Sequence, residues 1–294
     1  MKRLALLLMI LIPLGCSDNT TDSMFFTPEP ARTTFAIIGD RTYSHSIDFN
    51  GDDIHARLMA EVQEHNPDFI MTVGDMIEGY NDHEIVIEMM WDEYFSLLEG
   101  ITAPIHFTPG NHDIQTDQDE AIYRRRVGEP YYSFDQNNIH FIILDNSRWE
   151  PGAPLLEAEQ FDWLKADLNA NKKEMTFVFC HQPFWDATLI DNQPTDSLHK
   201  LFVEHDVDYV IAGHYHTFFE TEYDGIGYMI AGRTGGGSTL HLKQYIPKDA
   251  SFTLPDYEPH RFLMVEVIGD SVSFINTERD FRTNNEATAG DFGI

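Results

Sequence analysis

Five short stations along the chain hold residue types that bind cations. Asp40 ends the run "AIIGD", Asp75 follows "TVG", Asn111 and His112 stand in "GNHD", His181 follows "FVFC", and His214 and His216 form "GHYH". Each alone has an ordinary reading, since Asp after Gly turns the chain, and a His or an Asn-His pair can simply sit in a satisfied loop. Five such stations, each placed after an apolar run, are hard to ascribe to turn chemistry. Carboxylate, amide and imidazole donors suit two divalent ions of the Mn, Fe, Zn or Co kind rather than copper or an iron–sulfur cluster. The chain has only two cysteines, Cys16 and Cys180, which rules out a sulfur cage. Paired cations repel at about 3.5–4 Å unless a carboxylate lies between them. Asp75 is the candidate bridge.

The elements that must position these residues are legible as short apolar runs. "TTFAII", "FIMTV", "IHFT", "IHFIIL", "MTFVF" and "VDYVIA" are β-branched or aromatic and end in polar or glycine-bearing turns, the pattern of buried strands. Helices are expected over Asp53–Glu64, His83–Leu98, Asp117–Val127, Glu157–Leu168 and Thr195–His205. The spacings of Leu58 with Val62 and of Ile85 with Met89 predict core faces, with Glu61, Glu64, Glu84 and Glu88 toward water. After Thr217 strands follow one another: "FFETEY", "GIGYMIAG", "RFLMVEVIG" and "SVSFINTE". Alternating βα units followed by an antiparallel portion imply an α/β fold of two packed mixed β-sheets flanked by helices. Polar residues gathered at the carboxyl ends of the strands are where such folds keep their chemistry. The glycine-rich "RTGGGST" lacks the Lys-Ser or Lys-Thr of a phosphate loop and is expected to be a flexible loop near the site.

In this order the stations resemble the calcineurin-like metallophosphoesterases, the group that includes purple acid phosphatases, over roughly Thr33 to Glu278. The resemblance implies a four-layer αββα sandwich and two metal ions. It gives one to Asp75, Asn111, His181 and His214 and the other to Asp40, Asp75 and His216, with a hydroxide between them. It implies attack of that hydroxide on a phosphoester, with His112 stabilising the transition state or protonating the leaving oxygen. Imidazoles titrate near neutral pH, as that task requires. Asp113 is expected to orient His112 or to serve only the turn. The family's opening block is Asp-x-His, whereas this chain reads Asp40-Arg41-Thr42. His45, in "GDRTYSH", is the expected replacement ligand, with a phosphate contact as its alternative. Glu78 occupies the place where purple acid phosphatases carry an iron-binding tyrosine, which argues against a purple ferric enzyme.

Arg41 and Arg125 are the candidate phosphate contacts. For Arg41, pairing with a neighbouring carboxylate is the alternative, and the Arg124–Arg126 run also reads as a solvated helix face. Phe184, Trp185 and Trp149 follow strand ends and either floor a pocket for an organic leaving group or fill loop cores.

With 49 acidic against 19 basic residues, the net charge is -30. A positive stripe for long nucleic acid is missing, while a small phosphorylated substrate is compatible with metals that cancel the field locally. Residues 1–15 combine a basic start, an apolar run from Leu4 to Ile12 and a small residue before Cys16. This pattern resembles a bacterial lipoprotein export signal, with Pro13 departing from the usual leucine. Cys16 would then be lipidated and hold the protein at a cell-envelope membrane. Residues 16–32 read as a tether, 33–280 as the domain and 281–294 as a flexible tail. The expected activity is hydrolysis of a small phosphomonoester or phosphodiester. The alternative is a catalytically impaired surface binding protein, for which Thr42 is the best argument.

Overall fold

The computed structural model describes residues 30–42, 51–148, 155–185, 197–237 and 259–281. His45, Trp149, Cys16 with its proposed export signal, and the last thirteen residues lie outside them.

The strands are β1 (Arg32–Ile38), β2 (Phe69–Thr72), β3 (Ile105–His106), β4 (Tyr132–Gln136), β5 (Ile139–Ile143), β6 (Met175–Phe179), β7 (Tyr209–Ala212), β8 (Phe218–Tyr223), β9 (Ile226–Ala231), β10 (His260–Ile268) and β11 (Ser271–Arg279). The helices are α1 (Gly51–Glu64), α2 (Glu84–Leu97), α3 (Asp117–Arg126), α4 (Ala158–Ala170) and α5 (Ser197–Glu204). One sheet runs β11-β10-β1-β2-β3 and the other β4-β5-β6-β7-β9-β8. Within them β1-β2-β3 and β5-β6-β7-β9 are parallel, and β10, β11, β4 and β8 add antiparallel neighbours, so both sheets are mixed.

Period-two alternation decides which face each residue takes. In β1, Phe35 and Ile37 enter the layer shared with Phe141, Phe177, Phe179 and Ile211 of the other sheet, while Ala36 and Ile38 pack with Leu58, Val62 and Trp91 beneath the helices. Phe35 meets Phe141 and Phe177 edge-on at 5.3 and 5.5 Å. A third cluster joins Ile142 and Val178 to Leu164, Leu168 and Phe202 of α4 and α5. Strands covered on both faces read as unbroken apolar runs, which is why the sequence marks them so clearly. At ~1.5–3 kcal/mol for each large apolar side chain fully buried, these three layers are the main source of stability.

Two expectations are corrected. On α2 the buried residues are Ile87, Trp91 and Tyr94, whereas Ile85 and Met89 are 68% and 62% exposed. The helix is apolar on several faces, and the aromatic face wins because Trp91 fits against Phe95 and Tyr123. Arg125 does not face a substrate site. It reaches from α3 to Glu84 and Glu88 on α2, while Arg126 takes Glu88 and Asp92 and Arg124 takes Glu120. The basic run is therefore an ion-paired helix face, each pair contributing little on its own. Strand β4 was not anticipated, because as a half-buried edge it lacks an apolar run. At the far end of the described residues, Phe281 packs on His260.

Where β4 and β5 meet α4, His140 lies between two carboxylates, with Nδ1 2.7 Å from Asp135 and Nε2 2.7 Å from Asp167. Burial pulls this imidazole down, but hydrogen bonds and charge from Asp167 and Asp135 hold it above its ordinary value of 6.5. A raised folded-state value means the stabilisation is complete below pH ~6.5 and fades as pH rises through that higher value. His140→Ala is therefore expected to cost roughly 2 kcal/mol at pH 6, the worth of a hydrogen bond to a charged group. The difference from wild type should shrink at pH 9. Urea unfolding of both proteins at the two pH values checks this, and a gap that widens with pH would refute it.

Candidate metal centre

The ligand stations converge at the carboxyl ends of strands from both sheets. Asp40 follows β1, Asp75 follows β2 and Asn111 follows β3; His181 follows β6, and His214 with His216 follows β7. Asp75, His181 and His214 bring ligand atoms within 4.8 Å of one another, and so do Asp40, Asp75 and His216. Asp75 belongs to both groups, as a bridge requires. Asn111 Oδ1 joins the first group, 3.0 Å from His181 Nε2 and 2.9 Å from His214 Nδ1. Asp75, His214 and His216 all have positive φ, at 62°, 71° and 50°. Asp and His tolerate this conformation better than β-branched residues do.

Backbone carbonyls orient the imidazoles. His181 Nδ1 donates to Val73 O at 2.7 Å and His216 Nδ1 to Gly237 O at 2.8 Å, so in each ring Nε2 is the nitrogen that faces the centre. Burial pushes His214 down to about 3 and His216 down to about 4, keeping both neutral and able to ligate. Burial and the neighbouring Asp75 carboxylate push Asp40 up to about 8, even with the opposing charge of His181 nearby. Asp40 Oδ1 accepts from His214 N at 2.7 Å, while the fully buried Oδ2 has no hydrogen-bond partner among the described residues. A buried carboxylate oxygen without a donor is costly, and a cation beside it would remove that cost. The donor set and the orphaned oxygen both fit divalent cations.

The opening block is held from behind by residues 234–237 of the glycine-rich loop. Thr234 N and Gly236 N donate to Asp40 O, and Gly237 N donates to Thr42 O, while Gly237 O accepts from His216. Thr42 Oγ1 lies 3.4 Å from His216 Nε2, so its hydroxyl faces the second ligand group where the family pattern places a histidine. Arg41, in contrast, turns away. Its guanidinium donates to Met76 O at 2.9 Å and pairs with Glu93 at 3.2 Å, over the face of Tyr94. It takes the carboxylate alternative, and its expectation as a phosphate contact is corrected.

His112 is buried, with Nδ1 donating to Glu78 O at 2.6 Å and Nε2 pointing inward, 4.0 Å from Asp75 Oδ2. Asp113 does not orient it, contrary to its placement among the catalytic residues. Both Asp113 oxygens instead accept backbone N–H groups: Oδ2 from Asp75 and Gly110, Oδ1 from Met76 and Ile77. Burial, then the charge of Asp75, push its carboxyl up to about 6, with the Gly110 and Ile77 amides pulling the other way. Asp113 thus ties the loop after β2 to the loop after β3. Gly110 makes that approach possible, since a Cβ there would lie 2.2 Å from Asp75 Oδ1.

Phe184 and Trp185 take the loop-core alternative, packing on Phe202 and Tyr228. Sequence reasoning passed over Asn146, whose Oδ1 accepts from both His181 N and Gln182 N at 3.0 Å. Its position in "LDN", just past β5, was a sixth polar strand end.

Fold and ligand set together define a metal-binding α/β sandwich protein. The family model for calcineurin-like phosphoesterases matches residues 33–218, and the chain belongs to that family. It is 26% identical over 229 residues to purple acid phosphatase 21 of Arabidopsis thaliana, a match covering 69% of this chain and 48% of the relative. It is 23% identical over 230 residues to a 3',5'-cyclic-nucleotide phosphodiesterase of Nostoc sp., covering 76% of this chain and 81% of that one. The chain spans about half the length of the plant purple acid phosphatases it matches, 45–53% in the first three. In fold it is similar to a dimetal phosphatase from Danio rerio, with a TM-score of 0.60 at 16% identity, over 85% of this chain and 97% of the other.

Proposed function

We propose that the protein hydrolyses a phosphoester of a small organic molecule or nucleotide in a metal-dependent reaction. The observation that carries this reading is Asp75 shared between two ligand groups, with the inward Nε2 of His112 4.0 Å from the same carboxylate. Two divalent ions held by Asp40, Asp75, Asn111, His181, His214 and His216 would supply a hydroxide nucleophile at neutral pH and offset charge on the phosphoryl oxygens. The protein's own part is to fix the imidazoles through Val73 O and Gly237 O, to hold the amide of Asn111, and to present a proton from His112 Nε2 to a leaving oxygen. A net charge of -30 disfavours long nucleic acid and leaves small substrates. Export and lipid attachment at Cys16 belong to the same reading and are supported by the pattern of residues 1–16.

Protein stripped of metal and then given Mn, Zn, Fe or Co singly is expected to hydrolyse p-nitrophenyl phosphate, its bis ester or both, and only with metal restored. Thr42 in the histidine position favours a second reading, a surface binding protein with an impaired centre. Two bound metals per chain with neither ester hydrolysed would favour it over the first.

A further inference from the structure

Tyr80 stands at the edge of the metal centre in a conformation that costs energy. Gly79 and Tyr80 both have positive φ, 59° and 52°, and a Cβ at Gly79 would lie 1.8 Å from His112 O, so the turn wraps directly over His112. A tyrosine in the left-handed region costs about 1–2 kcal/mol and persists only where its surroundings hold it there. Two contacts do so. The ring meets the His112 imidazole edge-on at 4.6 Å, and the hydroxyl lies 2.9 Å from Asn111 Nδ2.

The second contact has a fixed direction. Asn111 turns Oδ1 to His181 and His214, so its Nδ2 must donate to the Tyr80 oxygen. A phenol that accepts one hydrogen bond still has its own O–H to give. That O–H borders a cleft of about 260 Å³ lined by Tyr80, Asn111, Gln115, Arg148, Gln182 and His214, two of which are ligand candidates. Gln182 Nε2 is engaged with Asn146 O and Ser147 O, and Arg148 pairs with Asp117 and Glu120. Despite its closeness to the centre, Tyr80 is 53% exposed, as a residue that meets an incoming molecule must be.

We propose that Tyr80 contacts the substrate, its hydroxyl accepting from Asn111 and donating to a phosphoryl oxygen held at the metal centre. The proposal rests on the phosphoesterase reading. It assigns the tyrosine a role that its spacing from Asp75 does not reveal.

The test uses the full chain loaded with Mn, comparing wild type with Tyr80→Phe. Inorganic phosphate binding is measured by calorimetry, metal content is counted, and KM and kcat are determined on p-nitrophenyl phosphate. Tyr80→Phe is expected to bind phosphate roughly ten- to hundredfold more weakly, the worth of one hydrogen bond to a charged acceptor, with metal content unchanged. KM should rise in proportion while kcat stays within about threefold, since a contact made equally in ground and transition states alters KM alone. Phosphate affinity within twofold of wild type would overturn the proposal. So would loss of metal in the variant, which would make Tyr80 a positioning residue for Asn111 instead. Wild type that holds two metals yet binds no phosphate would fail the phosphoesterase reading itself, and that outcome is visible before any variant is made.

Discussion

Asp113→Ala is expected to destabilise the protein by at least about 4 kcal/mol and to lower its metal content at the same time. The carboxylate accepts from the backbone N–H groups of Asp75 (2.7 Å), Gly110 (2.8 Å), Met76 (2.9 Å) and Ile77 (3.2 Å). Alanine would strand all of these donors in a site that is 1% exposed. Each buried, unsatisfied donor costs about 1–3 kcal/mol, so even the low end removes a large share of the 5–15 kcal/mol typical of a folded domain. Asp113→Asn keeps the shape but replaces one acceptor with a donor facing N–H groups, and should recover only part of the loss. Urea unfolding with metal counting on each variant decides the matter. A change below 1 kcal/mol for alanine would show that the two loops hold together without the carboxylate.

His112→Ala should behave in the opposite way, with metals kept and turnover lost. Neither candidate ligand group among the described residues includes His112, so loading should remain at the wild-type level. Its Nδ1 is committed to Glu78 O, leaving Nε2 as the nitrogen that faces the centre beside Asp75. Removing a general acid of this kind lowers kcat by about 10²–10⁴-fold. Full activity in the variant would exclude the proton-donor role, and loss of a metal would make His112 a ligand.

The two predictions separate what was legible in the sequence from what was not. The candidate metal ligands are local signals: "GNHD" and "GHYH" place special side chains at the ends of apolar strands, and both faces of those strands are buried, so side-chain type and position agree. Asp113 sits in the same motif, yet its partners are backbone groups up to 38 residues away, which leave no mark in residue type. The carbonyls of Glu78, Val73 and Gly237 were hidden for the same reason, since a backbone acceptor can belong to any residue. Ile85 and Met89 show another limit. On a helix as apolar as α2, spacing alone does not choose between faces, and the bulk of Trp91 and Tyr94 settled it. Arg41 was legible as functional or structural but not as which, because Glu93 approaches it only through the packing of α2.

The distribution of ligands over two sheets also has a kinetic consequence for folding. His214 meets Asp40 across 174 residues of sequence, a contact whose closure comes late when folding proceeds from short-range pairings outward. Among the described residues neither half of the chain holds a complete candidate ligand group, so cations bound at such a centre should do little to seed collapse or speed the search. Their benefit should fall almost wholly on the escape from the native state. Loaded protein would refold no faster than bare chain, yet it would unfold far more slowly.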